Sequence, residues 1–127
     1  MLQASAHKSF LDDDTKALAK AMRLALEPIV EAFPLAYVLT LLAVAEREGM
    51  AVNEYANDVG ILKAVATRHL QDLGVRDRRG NTGLEWVDQR RDSKDFRINR
   101  SYISVKGAVI LGKMKRAMEL FRPTRRP

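Results

Sequence analysis

The side chains able to do chemistry in this 127-residue sequence gather in two short stretches. The first, KAVATRHLQ from Lys63 to Gln71, places Lys63, Thr67 and Gln71 four residues apart, with Ala64 and Arg68 beside them. On a helix these five lie on one side, because residues i and i+4 stack one above the other, and none belongs to the apolar stripe. Lysine and arginine can reach guanine O6 and N7, glutamine can pair with adenine, and alanine or a threonine methyl can touch a thymine methyl. The second stretch, DQRRDSKDFR from Asp88 to Arg97, carries four basic and three acidic residues in ten. Arg90, Arg91, Lys94 and Arg97 are donors suited to phosphates or to a narrow, electronegative minor groove. Asp92 and Asp95 would repel the same polyanion unless they were engaged locally. Pairing with nearby arginines, or capping the turn, would let them fix the direction of Arg97; exposed pairs add little stability, so the gain is orientation.

Other reactive types do not assemble into a site. There are two histidines and no cysteine, no glycine-rich phosphate loop, and no carboxylate–histidine cluster at ligand spacing, so neither catalysis, a metal nor a cofactor is expected. The absence of cysteine also excludes disulfides and thiol-based redox sensing. His69 sits at the edge of an apolar stripe and reads as a packed histidine rather than a base contact. Tyr37, Met50 and Trp86 could line a ligand pocket, but core packing is the simpler reading. Asp12, Asp13 and Asp14 suit helix capping or solvation better than a metal, because consecutive carboxylates do not share a helix face.

The elements that would position the two stretches follow from periodicity. LDDDTKALAKAMRLALEP starts with aspartates that suit the positive end of a helix, and Leu18, Met22, Ala25 and Leu26 recur at helical spacing. Pro28 should kink or restart that helix, which would run on to about residue 33. Pro34 suits the start of a second helix, where Leu35, Val38, Leu39, Leu42 and Ala43 form a stripe and Tyr37, Leu41 and Val44 make the other side apolar too. Val52, Tyr55, Ala56 and Val59 mark a short helix with Asn53 as its cap. Gly60 is a turn, and Leu62, Val65, Ala66, Leu70 and Leu73 mark a fourth helix ending at Gly74. Residues 52–74 are thus a helix-turn-helix pattern. VRDRRGNTG is a loop, GLEWVDQ and FRINRSYIS are β-prone segments that should pair as a hairpin over about 84–104, and a last helix should run from 104 to about 121. The tail, RPTRRP, is expected to be disordered.

The predicted fold is mainly α with a small β-hairpin: one domain over 1–127, a winged helix-turn-helix flanked by helices at about 13–33 and 104–121. The charge distribution agrees with a polyanion partner. Residues 1–60 carry five Lys/Arg against nine Asp/Glu, and residues 61–127 carry seventeen against seven, so the second half is the contact surface. The longest apolar run, FPLAYVLTLLAVA, is too short for a membrane span, and no secretory signal is visible. A cytoplasmic, nucleoid-associated protein with no membrane partner is expected.

Over roughly 33–111 the sequence resembles the MarR family of bacterial transcriptional regulators. Glu54, Tyr55, Ala56, Gly60, Thr67 and Arg68 match the family's helix-turn-helix pattern, with Tyr55 standing where leucine is usual. Asp92, Asp95, Arg97, Lys106 and Gly107 match its wing signature, with Ile103 and Ser104 replacing Leu-Thr. The link at 75–83 is longer than usual and the terminal helices are brief. The resemblance implies a homodimer, a DNA-reading helix over 62–73, an Asp–Arg brace in the wing, repression by promoter occlusion and a small aromatic effector. Two other readings keep the same fold: a winged helix used as a protein-interaction module, and a plasmid or phage replication or partition factor.

Overall fold

A computed structural model describes residues 9–27, 34–75, 80 and 82–119. Five helices and one hairpin follow one another as α1 (Asp13–Leu26), α2 (Leu35–Glu46), α3 (Val52–Val59), α4 (Lys63–Leu73), β1 (Val87–Arg91), β2 (Asn99–Ile103) and α5 (Val105–Met118). The chain divides into two compact units, Met1–Pro28 with Gly112–Pro127, and Ile29–Leu111. The expected continuation of the first helix through 28–33, the arginines at 78 and 79, and the tail at 122–127 lie outside the described residues. No helix among the described residues is long and apolar enough to cross a membrane.

In the first unit, Asp12 caps α1: its carboxylate accepts the Thr15 N–H at 2.7 Å, satisfying one of the donors that a helix start leaves open. That hydrogen bond holds the Asp12 carboxyl below its ordinary range. Ala21, Ala25 and Met114 are the buried apolar residues here, whereas Met22 is exposed. The predicted α1 stripe is thus corrected at Met22, with Ala21 buried instead, while Ala25 is buried and Leu18 and Leu26 are half-buried.

The second unit is built on α2, whose Leu41 and Val44 are fully buried together with Thr40, Val38 and Ala43. The predicted α2 stripe is corrected at two positions, since Leu35 and Leu39 are exposed. An apolar helix has more than one face that could go inward, and here α3, α4 and β2 pack against the side carrying Val38, Leu41 and Val44. Asn53 does not cap α3. The N-cap is Ala51, whose N–H donates to the Glu54 carboxylate at 3.2 Å, so Glu54 supplies one half of a capping box.

Strands β1 and β2 pair antiparallel, with Val87 opposite Ile103 and Arg90 opposite Arg100. The strands start later than the β-prone segments suggested, at Val87 and Asn99, while the hairpin ends at Ile103, close to the expected 104. Residues 83–86 instead run past the end of α4: the N–H groups of Leu84, Glu85 and Trp86 donate to the carbonyls of Asp72, Gly74 and Leu73. Those carbonyls lack partners within the helix, so the end of α4 takes up the segment that would otherwise begin the strand. A stretch missed in the sequence covers the outer edge of β2. Gly49 N–H donates to the Ser101 carbonyl at 2.8 Å, Ser101 N–H donates to the Met50 carbonyl, and Ala51 bridges Arg100.

Candidate nucleic-acid interface

The turn between α3 and α4 is made by Gly60, at φ 82° and ψ 35°. This left-handed conformation is costly for a side chain bearing Cβ, and it lets the Gly60 and Ile61 N–H groups both donate to the Ala56 carbonyl. The next helix then turns Ala66, His69, Leu70 and Leu73 into the core. Lys63, Ala64, Arg68 and Gln71 are exposed on α4, and Thr67 is half-buried. The Thr67 hydroxyl donates to the Lys63 carbonyl at 2.9 Å, leaving its methyl group as the outward apolar feature. Among the described residues, the side chains of Lys63, Arg68 and Gln71 make no hydrogen bond or ion pair. The five predicted helix residues are therefore brought onto one solvent-facing side.

The inner side of α4 is fastened to α2 by polar contacts. His69 is buried, its Nδ1 lies 2.8 Å from the Thr40 hydroxyl, and its ring stacks 4.1 Å from that of Tyr37. Tyr37 donates to the Asp72 carboxylate. Burial pushes the His69 proton affinity down, and Arg68 acts in the same direction against Asp72. His69 is thus a core histidine that fixes helix orientation, as its place at the edge of the stripe suggested.

Tyr55, the departure from the usual leucine, performs a task no leucine could. Its fully buried ring ends in a hydroxyl that donates to the Arg47 carbonyl at 2.8 Å, accepts the Met50 N–H at 3.1 Å and lies 3.3 Å from the Ser101 carbonyl. One side chain joins the end of α2, the edge stretch and β2. Burial raises its pKa, which keeps the phenol protonated as a donor.

In the wing, Arg90 and Arg91 belong to β1 rather than to the loop, and strand alternation sends them to opposite faces. Arg90 lies over the Tyr102 ring, 5.0 Å from its centroid, close enough for a cation–π attraction. Each aspartate organises a different part of the tip. Asp92 accepts the backbone N–H groups of Lys94 and Asp95 with one oxygen and Arg100 Nε at 2.8 Å with the other. Arg100, not singled out in the sequence, also donates to the Gly49 carbonyl at 2.9 Å. Its only sequence signal was a cation in a β-prone segment, eight residues from the aspartate it meets. Asp95 forks with Arg97, both contacts being 3.0 Å, and accepts the Arg97 N–H as well. The fork occupies two of the five guanidinium donors, and the Arg97 side chain remains 90% exposed. The hydrogen bonds from Arg100 and Arg97 are the leading reason that the Asp92 and Asp95 carboxyls are held below their ordinary range. Lys94 is exposed.

At the base of the hairpin, Ser104 takes the place of the usual threonine and retains its chemistry. Its hydroxyl accepts the Gly107 N–H at 2.9 Å and donates to the Glu85 carbonyl at 2.6 Å, so it caps α5 and ties it to the strand entry. Gly107 is required sterically, because a Cβ there would collide with the Trp86 carbonyl oxygen. Lys106 lies 3.9 Å from the Glu85 carboxylate.

Among the hollows that open on this unit are two lined by described residues. One, of about 410 Å³, is lined by Leu39, Leu42, Ala43, Glu46, Arg47, Asp58 and Val59; the other, of about 280 Å³, lies between Gln71 and Gln89 over Leu70 and Val87. Neither is lined by Tyr37, Met50 or Trp86, and Trp86 is a core residue. No group of three or more potential metal-ligating side chains occurs among the described residues.

A helix-turn-helix with an exposed polar face on its second helix, followed by a hairpin whose tip carries cations, is a winged-helix architecture. Among solved structures, it is the fold of MarR-family transcription regulators. A MarR family transcription regulator superposes with a TM-score of 0.58 at 15% identity, covering 80% of this chain and 60% of the other. A mutant of the S. aureus protein MepR bound to an oligodeoxyribonucleotide matches at 0.62 and 16%, covering 83% and 70%. The transcriptional repressor CouR, bound to a 23-mer DNA duplex, matches at 0.59 and 19%, covering 84% and 70%. The chain thus spans less than two thirds of the first of these and somewhat more of the others. No family model matches the chain, and neither does any curated protein sequence.

Proposed function

We propose that this protein is a MarR-family, sequence-specific binder of double-stranded DNA that regulates transcription, without enzymatic activity and without a cofactor. The observation that carries this reading is the side of α4 bearing Lys63, Ala64, Thr67, Arg68 and Gln71, exposed in the same compact unit as the cationic wing. The helix reads base edges in the major groove, and Arg90, Arg91, Lys94 and Arg97 meet the backbone or the minor groove. Asp92 and Asp95 act as the brace that directs the wing cations. Two of the structures with the same fold are described as bound to DNA.

The functional form is a homodimer that places two recognition helices in successive major grooves and represses by covering the promoter. Exposed apolar residues on the flanking helices within the first unit, Met22 on α1 and Met118 on α5, support an interface with a second copy. A small aromatic effector fits the resemblance, and the hollow beside Leu39 and Leu42 offers an apolar wall for one. The protein acts in the bacterial cytoplasm, on the nucleoid.

Selection of bound sequences from a random duplex library tests this reading, with the oligomer measured by sedimentation. Two half-sites about 10 base pairs apart, bound with an affinity that falls steeply with salt, are expected. Absent or salt-insensitive binding to duplex DNA would overturn it.

A further inference from the structure

The outermost turn of the wing runs from Asp95 to Ile98, closed by the Ile98 N–H donating to the Asp95 carbonyl at 3.0 Å. Phe96 and Arg97 are its two central residues. Both side chains project into solvent, and Phe96 is 69% exposed. Exposure of one apolar side chain calls for no explanation, and Leu62 and Val105 are exposed too. Phe96 differs in its setting. It shares a two-residue turn with Arg97 and lies two residues from Lys94, while the neighbouring acids are engaged with other groups. Asp92 is engaged with backbone N–H groups and Arg100, and Asp95 with Arg97. The tip therefore offers cations and a flat apolar ring together.

That pairing narrows the partner. A ring has nothing to gain from phosphates alone, but behind the phosphates of a duplex lie sugar walls and stacked bases. A ring fixed next to a groove-seeking guanidinium is delivered there whenever the guanidinium binds.

Resting on the duplex-DNA reading above, we infer that Phe96 is a further DNA-contacting residue, an apolar wedge that enters the minor groove beside Arg97 and bends the duplex at the step it meets. Insertion of an apolar side chain partly unstacks a base step and kinks the helix. The cost is lowest at flexible pyrimidine–purine steps. Phe96 therefore adds a sequence preference that involves no hydrogen bond, at positions flanking those read by α4.

The test uses the full chain and a duplex recovered by selection with the wild-type protein, end-labelled for energy transfer and carrying 2-aminopurine at the step facing the wing. Wild type should shorten the end-to-end distance and raise the 2-aminopurine fluorescence. Phe96→Ala should lose about tenfold in affinity, most of the bend and the fluorescence rise, with the salt slope unchanged because no charge has been removed. Phe96→Leu should retain part of each signal. A Phe96→Ala protein that binds and bends as wild type does would overturn the wedge while leaving the DNA reading intact. So would a loss of affinity accompanied by a lower salt slope, since the substitution would then have disturbed Arg97. Absence of wild-type binding to any selected duplex would overturn the DNA reading itself, and the wedge with it.

Discussion

Helix α4 and the wing tip both display arginine, yet they control it by opposite means. On α4 the backbone does the positioning: the inner face is packed through Ala66, Leu70 and Leu73 and fastened by His69 to Thr40, while Arg68 projects with no ion-pair or hydrogen-bond partner among the described residues. At the wing tip there is little core to hold the chain, and side chains take over. Asp92 folds the turn through Lys94 and Asp95 and pins it to β2 through Arg100, and Asp95 clasps Arg97. A rigid element can leave its charges unpaired for a ligand, whereas a loop must use some of its charge to define its own shape. The mixture of signs in DQRRDSKDFR follows from that need.

The contrast is sharpest in DNA binding. Arg68→Ala should cost about 1–3 kcal/mol on the selected duplex and relax preference at one position, measured by competition between the selected site and its single-base variants. An equal loss on all sequences would place Arg68 on phosphates and remove the distinction between the two regions.

Tyr55→Phe should act on the wing side of the comparison, because the hydroxyl joins the end of α2 to β2. Leaving the Met50 N–H and the Arg47 carbonyl without their partner should cost about 1–3 kcal/mol of folding stability, read from urea unfolding. A neutral outcome would mean that the wing stands without this link.

Arg97→Ala should weaken binding several-fold and evenly across sequences, lowering the salt slope by about one. Asp95→Asn should leave the charge of Arg97 in place but loosen its direction. Titrations at several salt concentrations should therefore show a lower affinity with an undiminished slope. If Asp95→Asn instead binds more tightly, the acid opposes the polyanion more than it orients the arginine.

The smallest effect concerns pH. Burial lowers the proton affinity of His69 below its ordinary value near 6.5. The unfolded chain therefore takes up that proton first, and the stability conferred by the neutral ring is complete above about pH 6.5 and is lost as pH falls toward the lowered value. His69→Gln should flatten the decline in stability between about pH 7 and 5 by thermal or urea unfolding. The lowered carboxyls of Asp12, Asp92 and Asp95 lose their contribution at more acid pH, as pH falls from the ordinary carboxylate range toward their lowered values, so the two effects separate.

Much of the architecture was legible from local pattern. Gly60 announced the turn, Leu70 and Leu73 the inner face of α4, and the β-prone segments the hairpin. Misplacements arose where a local pattern had two solutions. Leu35 and Leu39 had the same helical spacing as residues that pack, and only the positions of α3, α4 and β2 decided which side of α2 was covered. Asn53 had cap chemistry, but Ala51 held the position because its backbone bridges Arg100. The candidate interface was similarly mixed. The five α4 residues followed from period, whereas Arg90 and Arg91 moved from loop to strand, Phe96 moved from strand to turn, and Arg100 went unnoticed.

By itself the sequence determined the supply of parts: an apolar stripe at helical period, a glycine where a turn needs positive φ, and cations concentrated in the second half. These depend on residues within about one helical turn of each other, so they can be read along the chain. Tertiary structure alone decided which partners meet. Tyr55 reaches Ser101 across 46 positions, Arg100 reaches Gly49 across 51, and Ile103 reaches Glu48 across 55. Such contacts depend on the path of the whole backbone and on which buried donors still need an acceptor, and neither is written in any local stretch.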